Sequence, residues 1–358
     1  MLNRYEYFIS QNCSLPNAKG IGVYRDDIKV CSIAIPQWMS APAETKLYSF
    51  GALSDVHIVY DTAQEDFQKA LTYLNNDVDV AFTCIAGDLT DVGYEEQLTQ
   101  YKAVVDSCSA DTPVYAIAGN HDRYGSLSAQ YFSNYTGYPL FYSLGIDLSG
   151  QCVASDVTQT PVAYGSDVHD VFIMVGHLKW VYTTHDELFS QAELQWLYNT
   201  LELNRNKRCI VFTHVFPWGD SGNACNYYTD DFWSGTEGEV FNSLMAHYKN
   251  VVVFHGHSHL KFYLQELDDK ANYSNALGYH SVHIPSLSVP RDIVNGSLQK
   301  IYADSEGYVV DVYDACIVLR GRDFVEDKWL PIATYKIDTP LVTVEAGTFT
   351  DSTGTIVT

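Results

Sequence analysis

The sequence predicts an α/β fold, and three observations lead to that prediction. Five short apolar runs have the length and β-branched content of buried strands, and each run ends in polar side chains. Helical patterns separate most of these runs, which is the order of elements in α/β proteins. From about residue 261 onward the helical period disappears and short strand-like runs take over. We therefore expect an α/β first half joined to a β-rich second half.

The predicted elements follow one another in a regular order. The five strand-like runs are residues 47–53, 78–86, 114–118, 209–213 and 251–254. Two of the helices between them begin at candidate capping boxes, Thr62 with Glu65 and Ser190 with Glu193. Further strands are predicted at residues 281–284, 308–313 and 317–319. These elements divide the 358 residues into a strand-rich N-terminal arm (1–45), a main domain (46–325) and a β-type C-terminal tail (326–358).

The composition limits the class of partner. The formal net charge is −23 with only 21 Lys and Arg, which disfavours nucleic acid, because binding its backbone needs many cationic contacts. The sequence has neither an apolar run of membrane-spanning length nor the layout of a signal peptide at its start, so the default expectation is a cytoplasmic protein without a membrane segment. The eight cysteines are scattered without a Cys-x-x-Cys pair, which favours reduced thiols over disulfides or a zinc cluster.

The polar ends of the five runs carry the predicted chemistry. They are Asp55-Val56-His57, Gly87-Asp88, Gly119-Asn120-His121-Asp122, His214 and Gly256-His257-Ser258-His259. Because open α/β sheets place their ligands at the carboxyl ends of strands, we expect these side chains to meet at one edge. Asp55 and His57 are expected to point to the same side of an extended chain.

These side chains match the ligands of two divalent ions. Two ions about 3.5 to 4 Å apart need one bridging carboxylate, terminal ligands on both sides and open positions for water and substrate. The residues that can fill these places are Asp55, His57 and His259 on one ion, Asn120, His214 and His257 on the other, and Asp88 as the bridge. Mixed oxygen and imidazole ligands suit Mn, Fe or Zn better than Mg or Ca.

With these five blocks in this order, the chain resembles the calcineurin-like metallophosphoesterases over roughly residues 47–320. The resemblance implies a four-layer α/β/β/α sandwich with a dinuclear site at one edge of the sheets, and it marks residues 46–325 as the catalytic domain. It also implies in-line attack on phosphorus by a hydroxide that bridges the ions, with His121 stabilising charge or protonating the leaving group. The expected substrate is a small phosphodiester or phosphomonoester.

Two alternatives to this activity stay open, a nuclease of the same superfamily and a non-catalytic metal-binding scaffold. Scarce Lys and Arg disfavour the nuclease, and the complete ligand set disfavours the scaffold. Purple acid phosphatases carry a tyrosine three residues after the bridging aspartate, where this chain has Asp91, so an iron–tyrosinate centre is not expected. Asp91 is interpreted either as a residue behind the ligands or as a helix N-cap. The Asp-x-His first block, as in bacterial phosphodiesterases and nucleases, makes diester hydrolysis an expected activity.

Several residues around the ligands have two interpretations. Asp122 is predicted either to orient an imidazole for catalysis or to stabilise its turn. Arg123 and Arg291 are predicted to hold a phosphate oxygen, with surface ion pairing as the alternative. The segment 216–239 is predicted to govern substrate choice, and its aromatic side chains either stack on the substrate or pack on the sheet. Histidines left out of the site are His169, His177, His185, His247, His255, His280 and His283.

Overall fold

A computed structural model describes residues 21–25, 28–33, 45–59, 62–109, 111–124, 128–176, 189–215, 221–222, 236–266, 271–301 and 304–339. Contacts divide the chain into two units, Met1–Thr45 and Lys46–Thr358. In the first unit, strand β1 (Ile21–Arg25) pairs antiparallel with strand β2 (Ile28–Ile33).

The second unit holds the remaining elements of the described chain. Its strands are β3 (Tyr48–Leu53), β4 (Phe82–Ile85), β5 (Val114–Ala116), β6 (Phe141–Ile146), β7 (Cys152–Asp156), β8 (Asp170–Val175), β9 (Arg208–Phe212), β10 (Val251–His255), β11 (Tyr273–Ser274), β12 (His280–His283), β13 (Arg291–Val294), β14 (Ser297–Lys300), β15 (Glu306–Val312), β16 (Cys316–Asp323) and β17 (Lys328–Asp338). Its helices are α1 (Ala63–Tyr73, continued by a π-helical turn to Val78), α2 (Glu95–Cys108), α3 (Ser128–Thr136), α4 (Gln191–Leu203) and α5 (Thr236–His247).

The strands form two large mixed sheets. The six-stranded sheet has the order β17-β16-β15-β3-β4-β5, with β3, β4 and β5 parallel and the last three strands of the chain antiparallel. The seven-stranded sheet has the order β11-β12-β10-β9-β8-β6-β7, with four parallel strands from β12 to β8. A separate hairpin pairs β13 with β14.

Three buried apolar clusters show that these elements stack in four layers. The first lies between the two sheets and includes Phe50 and Phe82 from one sheet and Phe172 from the other. A second cluster joins the outer face of the seven-stranded sheet to α4 and α5. A third joins the outer face of the six-stranded sheet to α1, α2 and α3. The four-layer α/β/β/α prediction is therefore confirmed, because each sheet buries one face against the other sheet and one against helices.

The two predicted capping boxes have different outcomes. Ser190 accepts a hydrogen bond from the backbone N–H of Glu193 at 3.1 Å, and the Glu193 carboxylate accepts from the Ser190 amide at 2.7 Å, so this box is confirmed. The box at Thr62 is wrong, since its side chain accepts no capping bond. The helix still begins there, with the Asp66 amide donating to the Thr62 carbonyl. Among the helices of the described ranges, none combines the length and apolar character needed to cross a bilayer.

A buried ion pair joins the two sheets at the amino end of β9. The Arg208 guanidinium donates to both oxygens of Asp170, at 2.7 and 3.0 Å, and to the Tyr313 carbonyl at 2.9 Å in the other sheet. Tyr48 adds a hydroxyl bond of 2.6 Å to the Asp170 carboxylate. Both charged side chains are fully buried, so neither can exchange its partner for water.

We expect Arg208→Met to reduce the free energy of unfolding by about 3–5 kcal/mol, because it removes the guanidinium from the buried Asp170 carboxylate and leaves the His169 imidazole at 3.1 Å as the remaining counter-charge. Chemical denaturation measures this loss. The double variant Arg208→Met, Asp170→Leu should regain much of it, since both charges are then absent. Lys102→Ala, which removes an exposed pair with Asp106, is the control and should change stability little. A loss with Arg208→Met as small as that of the control would refute the role of the pair.

Candidate metal centre

The carboxyl ends of parallel strands from both sheets meet at one edge of the molecule. Within the six-stranded sheet, the Asp55 amide donates to the Gly87 carbonyl at 3.0 Å. Within the seven-stranded sheet, the Gly256 amide donates to the His214 carbonyl at 3.0 Å. The two sheets are joined where the His257 amide donates to the Asp55 carboxylate at 3.0 Å. The polar ends predicted from the sequence are therefore brought together across the sheet-to-sheet boundary.

The side chains gathered there form three groups with metal-ligating atoms within 4.8 Å of one another; one of them is His57, Asp91 and His121, and the other two share Asp88. Of these two, the first group is Asp55, His57, Asp88 and His259, and the second is Asp88, His214 and His257. Asp88 belongs to both groups, which is the position that a bridging ligand requires. Asn120 joins the second group through its amide oxygen, which lies 3.0 Å from His214 Nε2 and 3.0 Å from His257 Nδ1. All seven side chains are buried.

The backbone at this centre differs from the extended form expected at the first block. Five of the seven residues have positive φ angles, namely Asp55 (53°), His57 (42°), Asp88 (52°), His257 (72°) and His259 (62°). The expectation of an extended chain at the first block is therefore wrong. A left-handed backbone costs of order 1–3 kcal/mol at a non-glycine residue and persists only where the surroundings hold it, which is common at functional sites.

Glycines permit the close approach of the loops that carry these ligands. A Cβ atom built on Gly256 would overlap the Ser54 hydroxyl, and one built on Gly119 would overlap the Asp88 carboxylate. No other residue type fits at either position without displacing a ligand-bearing loop.

Hydrogen bonds behind the imidazoles fix which nitrogen faces the centre. His214 Nδ1 lies 2.7 Å from the Ala86 carbonyl, and His259 Nδ1 lies 3.0 Å from the Val289 carbonyl. Because a carbonyl can only accept, each Nδ1 carries a proton and each Nε2 faces the centre. A backbone acceptor of this kind is typical behind a metal-bound histidine.

In each of the two carboxylates, one oxygen accepts a supporting hydrogen bond and the other lies among the ligands of the centre. Asp55 Oδ2 accepts from the Ser54 hydroxyl at 2.6 Å, and Asp88 Oδ1 accepts from the His121 amide at 2.9 Å. Asp55 Oδ1 and Asp88 Oδ2 accept no aligned hydrogen bond from a described residue, although they lie 3.0 Å from His259 Nε2 and 3.1 Å from His214 Nε2. Buried oxygens and imidazole lone pairs that converge on one another fit a divalent cation as their common partner.

Burial and neighbouring charge set the protonation of these groups before a cation binds. Burial lowers the pKa of His259 to about 4, which leaves its Nε2 free of a proton at neutral pH. Burial also lowers the pKa of His214, but the Asp88 and Asp55 carboxylates outweigh it and raise that pKa to about 9. A cation bound at His214 therefore displaces a proton.

His121 lies beside the ligands and is the least buried of the central residues. Its ring is 4.7 Å from the ring of His57, and its side chain is 29% exposed, so it faces the opening of the centre. His121 Nδ1 lies 2.7 Å from the Asp91 carbonyl and 3.6 Å from an Asp91 carboxylate oxygen, which is itself 3.5 Å from His57 Nδ1. Asp91 therefore lies behind both imidazoles, in agreement with one of its two predicted interpretations.

Within the described ranges, the hydrogen bonds of the Asp122 carboxylate go to backbone amides and a hydroxyl and not to an imidazole. Its carboxylate accepts from the amides of Leu89 (3.1 Å), Thr90 (2.9 Å) and Gly119 (2.9 Å), and from the Thr90 hydroxyl (2.7 Å). The contacts thus support the turn-stabilising interpretation of Asp122 and not its predicted catalytic one. Three backbone amides are held by one buried carboxylate, which ties the Asp88 loop to the Asn120 loop.

The two candidate phosphate-binding arginines have different surroundings. Burial lowers the pKa of Arg123, and the Asp122 and Glu193 carboxylates oppose that shift, which places Arg123 beside two acidic residues. Both are bonded to predicted ligand residues through the backbone, because the Arg123 amide donates to the Asn120 carbonyl at 3.0 Å and the Arg291 amide donates to the His259 carbonyl at 2.6 Å.

Two histidines left out of the predicted site form a layer behind the last ligand block. His283 Nε2 lies 2.9 Å from the Ser258 hydroxyl, between the two ligands of the Gly256–His259 loop. His255 Nε2 lies 2.8 Å from the Ser221 hydroxyl and 3.1 Å from the Ser281 hydroxyl. Both imidazoles are fully buried. Two features of the sequence indicated this layer. His255 is next to a ligand block, and His283 lies near the end of a predicted strand.

Several predictions fall largely outside the described residues. Of the segment 216–239, only residues 221–222 and 236–239 are described, so Trp218, Tyr227, Tyr228, Phe232 and Trp233 lie outside them. His177 and His185 also lie outside the described ranges.

Comparison with known proteins agrees with this geometry. A sequence model of the calcineurin-like phosphoesterase family matches residues 48–261. The purple acid phosphatase PPD1 from yellow lupin seeds has a similar fold, with a TM-score of 0.50, 16% identity and coverage of 82% of this chain and 54% of the lupin chain. GAP50, described as the anchor in the inner membrane complex of Plasmodium, superposes with a TM-score of 0.53 at 13% identity over 84% of this chain and 90% of its own. This chain thus spans about half the length of the lupin protein, and no curated protein sequence matches it.

Proposed function

The chain belongs to the calcineurin-like phosphoesterase family, and from this premise we propose that it is a dinuclear metal-dependent hydrolase of phosphate esters. One observation carries the proposal, namely that Asp88 belongs to both groups of metal-ligating side chains. Asp88 Oδ2 lies 3.6 Å from His57 Nε2 in one group and 3.1 Å from His214 Nε2 in the other, so imidazoles of both groups converge on one carboxylate oxygen. The first group would hold one ion and the second group, with Asn120, the other.

The residues of the chain would hold each part of the reaction in place. Asp55, His57 and His259 would bind one ion, while Asn120, His214 and His257 would bind the other. When bound, two such ions lower the pKa of water and neutralise charge that develops on the phosphoryl oxygens. Mn, Fe and Zn are the candidate ions, because imidazole and carboxylate ligands are mixed.

His121 would act on the leaving group from the opening of the centre. Its Nδ1 is held by the Asp91 carbonyl at 2.7 Å, which leaves Nε2 to face the substrate. A protonated imidazole at this place can donate to the departing oxygen or stabilise its charge. Asp122 would support this step indirectly, since it fixes the turn from which His121 projects.

A diester is the substrate we propose first. The metal ions neutralise a singly charged diester readily, whereas a doubly charged monoester also needs cationic side chains around it. Only two cationic side chains, Arg123 and Arg291, are predicted candidates, and the backbone of each is bonded to a ligand residue.

We expect the purified chain to carry about two transition-metal ions and to hydrolyse bis(4-nitrophenyl) phosphate in the presence of Mn. Elemental analysis measures the metal, and a panel of 4-nitrophenyl phosphate, bis(4-nitrophenyl) phosphate and a cyclic nucleotide measures the preference. Removal of the metal with a chelator should abolish the activity, and added Mn should restore it. A metal content near zero after growth with Mn, Fe and Zn would contradict the proposal, and a strong monoester preference would overturn the choice of diester.

A further inference from the structure

The hairpin of β13 and β14 is attached directly to a ligand residue of the metal centre. The Arg291 amide donates to the His259 carbonyl at 2.6 Å, and the Lys261 amide donates to the Arg291 carbonyl at 3.0 Å. These two bonds hold the start of the hairpin against the loop that ends in His259. The position of Arg291 is therefore fixed relative to the centre by the backbone.

Within this hairpin, Arg291 lies directly opposite Lys300. Opposed residues of an antiparallel pair have side chains on the same face, with Cβ atoms about 4.5–5.5 Å apart, and like charges in such a pair are destabilising. The chain has only 21 Lys and Arg in 358 residues, so two cations directly opposite one another are not expected from its composition. A pairing that weakens a hairpin beside a functional site is expected to have a function there.

The face that carries these two cations is the face that packs against the protein. Side chains alternate along a strand, so Arg291 shares a face with Ile293, and Lys300 shares it with Leu298. Ile293 and Leu298 are opposite one another and pack against the buried cluster of Leu260, Leu264 and Ala271. The cationic pair extends that face to the end of the hairpin nearest His259, where Lys300 is exposed to solvent.

The backbone places one end of the pair beside the centre, since the Arg291 amide is bonded to the His259 carbonyl. Burial and Arg291 lower the pKa of Lys300, while Asp91 opposes them. Asp91 is the residue whose carbonyl lies 2.7 Å from His121 Nδ1. The pair is therefore near both a ligand of the first ion and the residue behind His121.

We propose that Arg291 and Lys300 bind a second anionic group of the substrate, beside the phosphoryl group that the metal centre would hold. This inference rests on the proposed function and adds a substrate class, a phosphodiester that carries another phosphate within about one nucleotide of the cleaved bond. One anion between the two cations would turn their mutual repulsion into attraction. The Arg291 guanidinium can bind two oxygens of that group, and the Lys300 ammonium supplies a point charge.

Two substrates that differ only in the second phosphate test this inference. They are thymidine 5′-(4-nitrophenyl phosphate) with and without a 3′-phosphate, which share the cleaved bond and the leaving group. We expect the ratio of kcat/KM for the 3′-phosphorylated over the plain substrate to exceed one in the unmodified chain. It should fall about 10-fold in Arg291→Gln and in Lys300→Gln, because each variant removes one charge-assisted contact.

Controls separate a specific contact from general electrostatics and from misfolding. Lys102→Gln removes an exposed cation from α2 and should leave the ratio unchanged. Lys300→Arg should keep most of the ratio, since the charge remains. If Arg291→Gln does not fold, as judged by its melting temperature, Lys300→Gln decides alone, because Lys300 is exposed.

The outcomes distinguish failure of this inference from failure of the proposed function. Hydrolysis of both substrates with a ratio that Lys300→Gln and the double variant Arg291→Gln, Lys300→Gln leave unchanged overturns the inference and leaves the proposed function standing. If neither substrate is hydrolysed with Mn, the proposed function fails, and calorimetric binding of thymidine 3′,5′-bisphosphate against thymidine 5′-monophosphate then decides the inference. Equal affinity for the two nucleotides would overturn it.

Discussion

Asp88→Ala is expected to lower the metal content from about two ions per chain to less than one and to reduce activity at least about 10³-fold. The reason is that Asp88 belongs to both groups of ligating side chains, so its loss removes a ligand from each ion. Elemental analysis and the rate of diester hydrolysis measure the two effects.

Two further variants make this result specific. Asp55→Ala removes a ligand from one group only, and we expect it to leave about one ion bound. Asp66→Ala removes a buried carboxylate in α1, outside both groups, and serves as the matched control with normal metal content. Full metal content and activity in Asp88→Ala would show that Asp88 does not bridge.

His121→Ala is expected to retain both ions and to lose about 10²- to 10⁴-fold in rate, the usual contribution of a general acid or charge-stabilising group. The loss should be larger for an alkyl leaving group than for a nitrophenol, because a nitrophenol departs readily as an anion. Rates with both leaving groups, metal content and melting temperature are the measurements.

The alternative for His121 is a purely structural role in its turn. That alternative predicts that the variant loses metal and thermal stability together. The structure gives the turn another support, since Asp122 already binds three backbone amides of the neighbouring loops. His280→Ala, a histidine of β12 outside both ligand groups, is the control. A loss of metal that accounts fully for the lost rate would exclude the catalytic role.

The strands that lead to the centre were predictable because each leaves a local signal. Short β-branched runs that end in Asp, His or Asn predict both the strand and the place of the ligand, and β3, β9 and β10 begin and end within one residue of the predicted runs. β4 and β5 are shorter than predicted, since the apolar residues around them continue into the loops. Strands β6, β7 and β8 were not among the predicted runs, although Asp147 directly follows β6 and β7 ends in Asp156.

The geometry of the ligand residues could not be predicted from the sequence. A positive φ at Asp55 or His257 is imposed by contacts with residues far away in the chain, such as the bond of the His257 amide to the Asp55 carboxylate. Local preference favours an extended or helical backbone at these residues. The bond between His121 Nδ1 and the Asp91 carbonyl could not be predicted either. Every residue type has a backbone carbonyl, so the residue type does not indicate which carbonyl accepts such a bond.

The pairing of Arg291 with Lys300 illustrates a different limit. Arg291 was a candidate because cations are scarce in this chain, but Lys300 was not considered. Their opposition depends on the register of a hairpin whose turn, Asn295-Gly296, closes it between four-residue strands. The register of such a hairpin is determined only when one of its faces packs on a core. Here that core includes Leu260, which lies about thirty residues before the hairpin in the chain, so the local sequence does not determine the register.

The position of β3 has a consequence for the order of folding. β3 carries the first ligand block and lies between β4, which follows it closely in the chain, and β15, which pairs Val309 with Gly51. The six-stranded sheet therefore joins the beginning of this unit to its last strands, which gives the fold a high contact order. Such topologies fold slowly, because the entropy of closing a long loop is lost before the contacts form. During synthesis, the first metal ligands would remain without their final neighbours until most of the chain has emerged, and metal binding would accompany the last steps of folding.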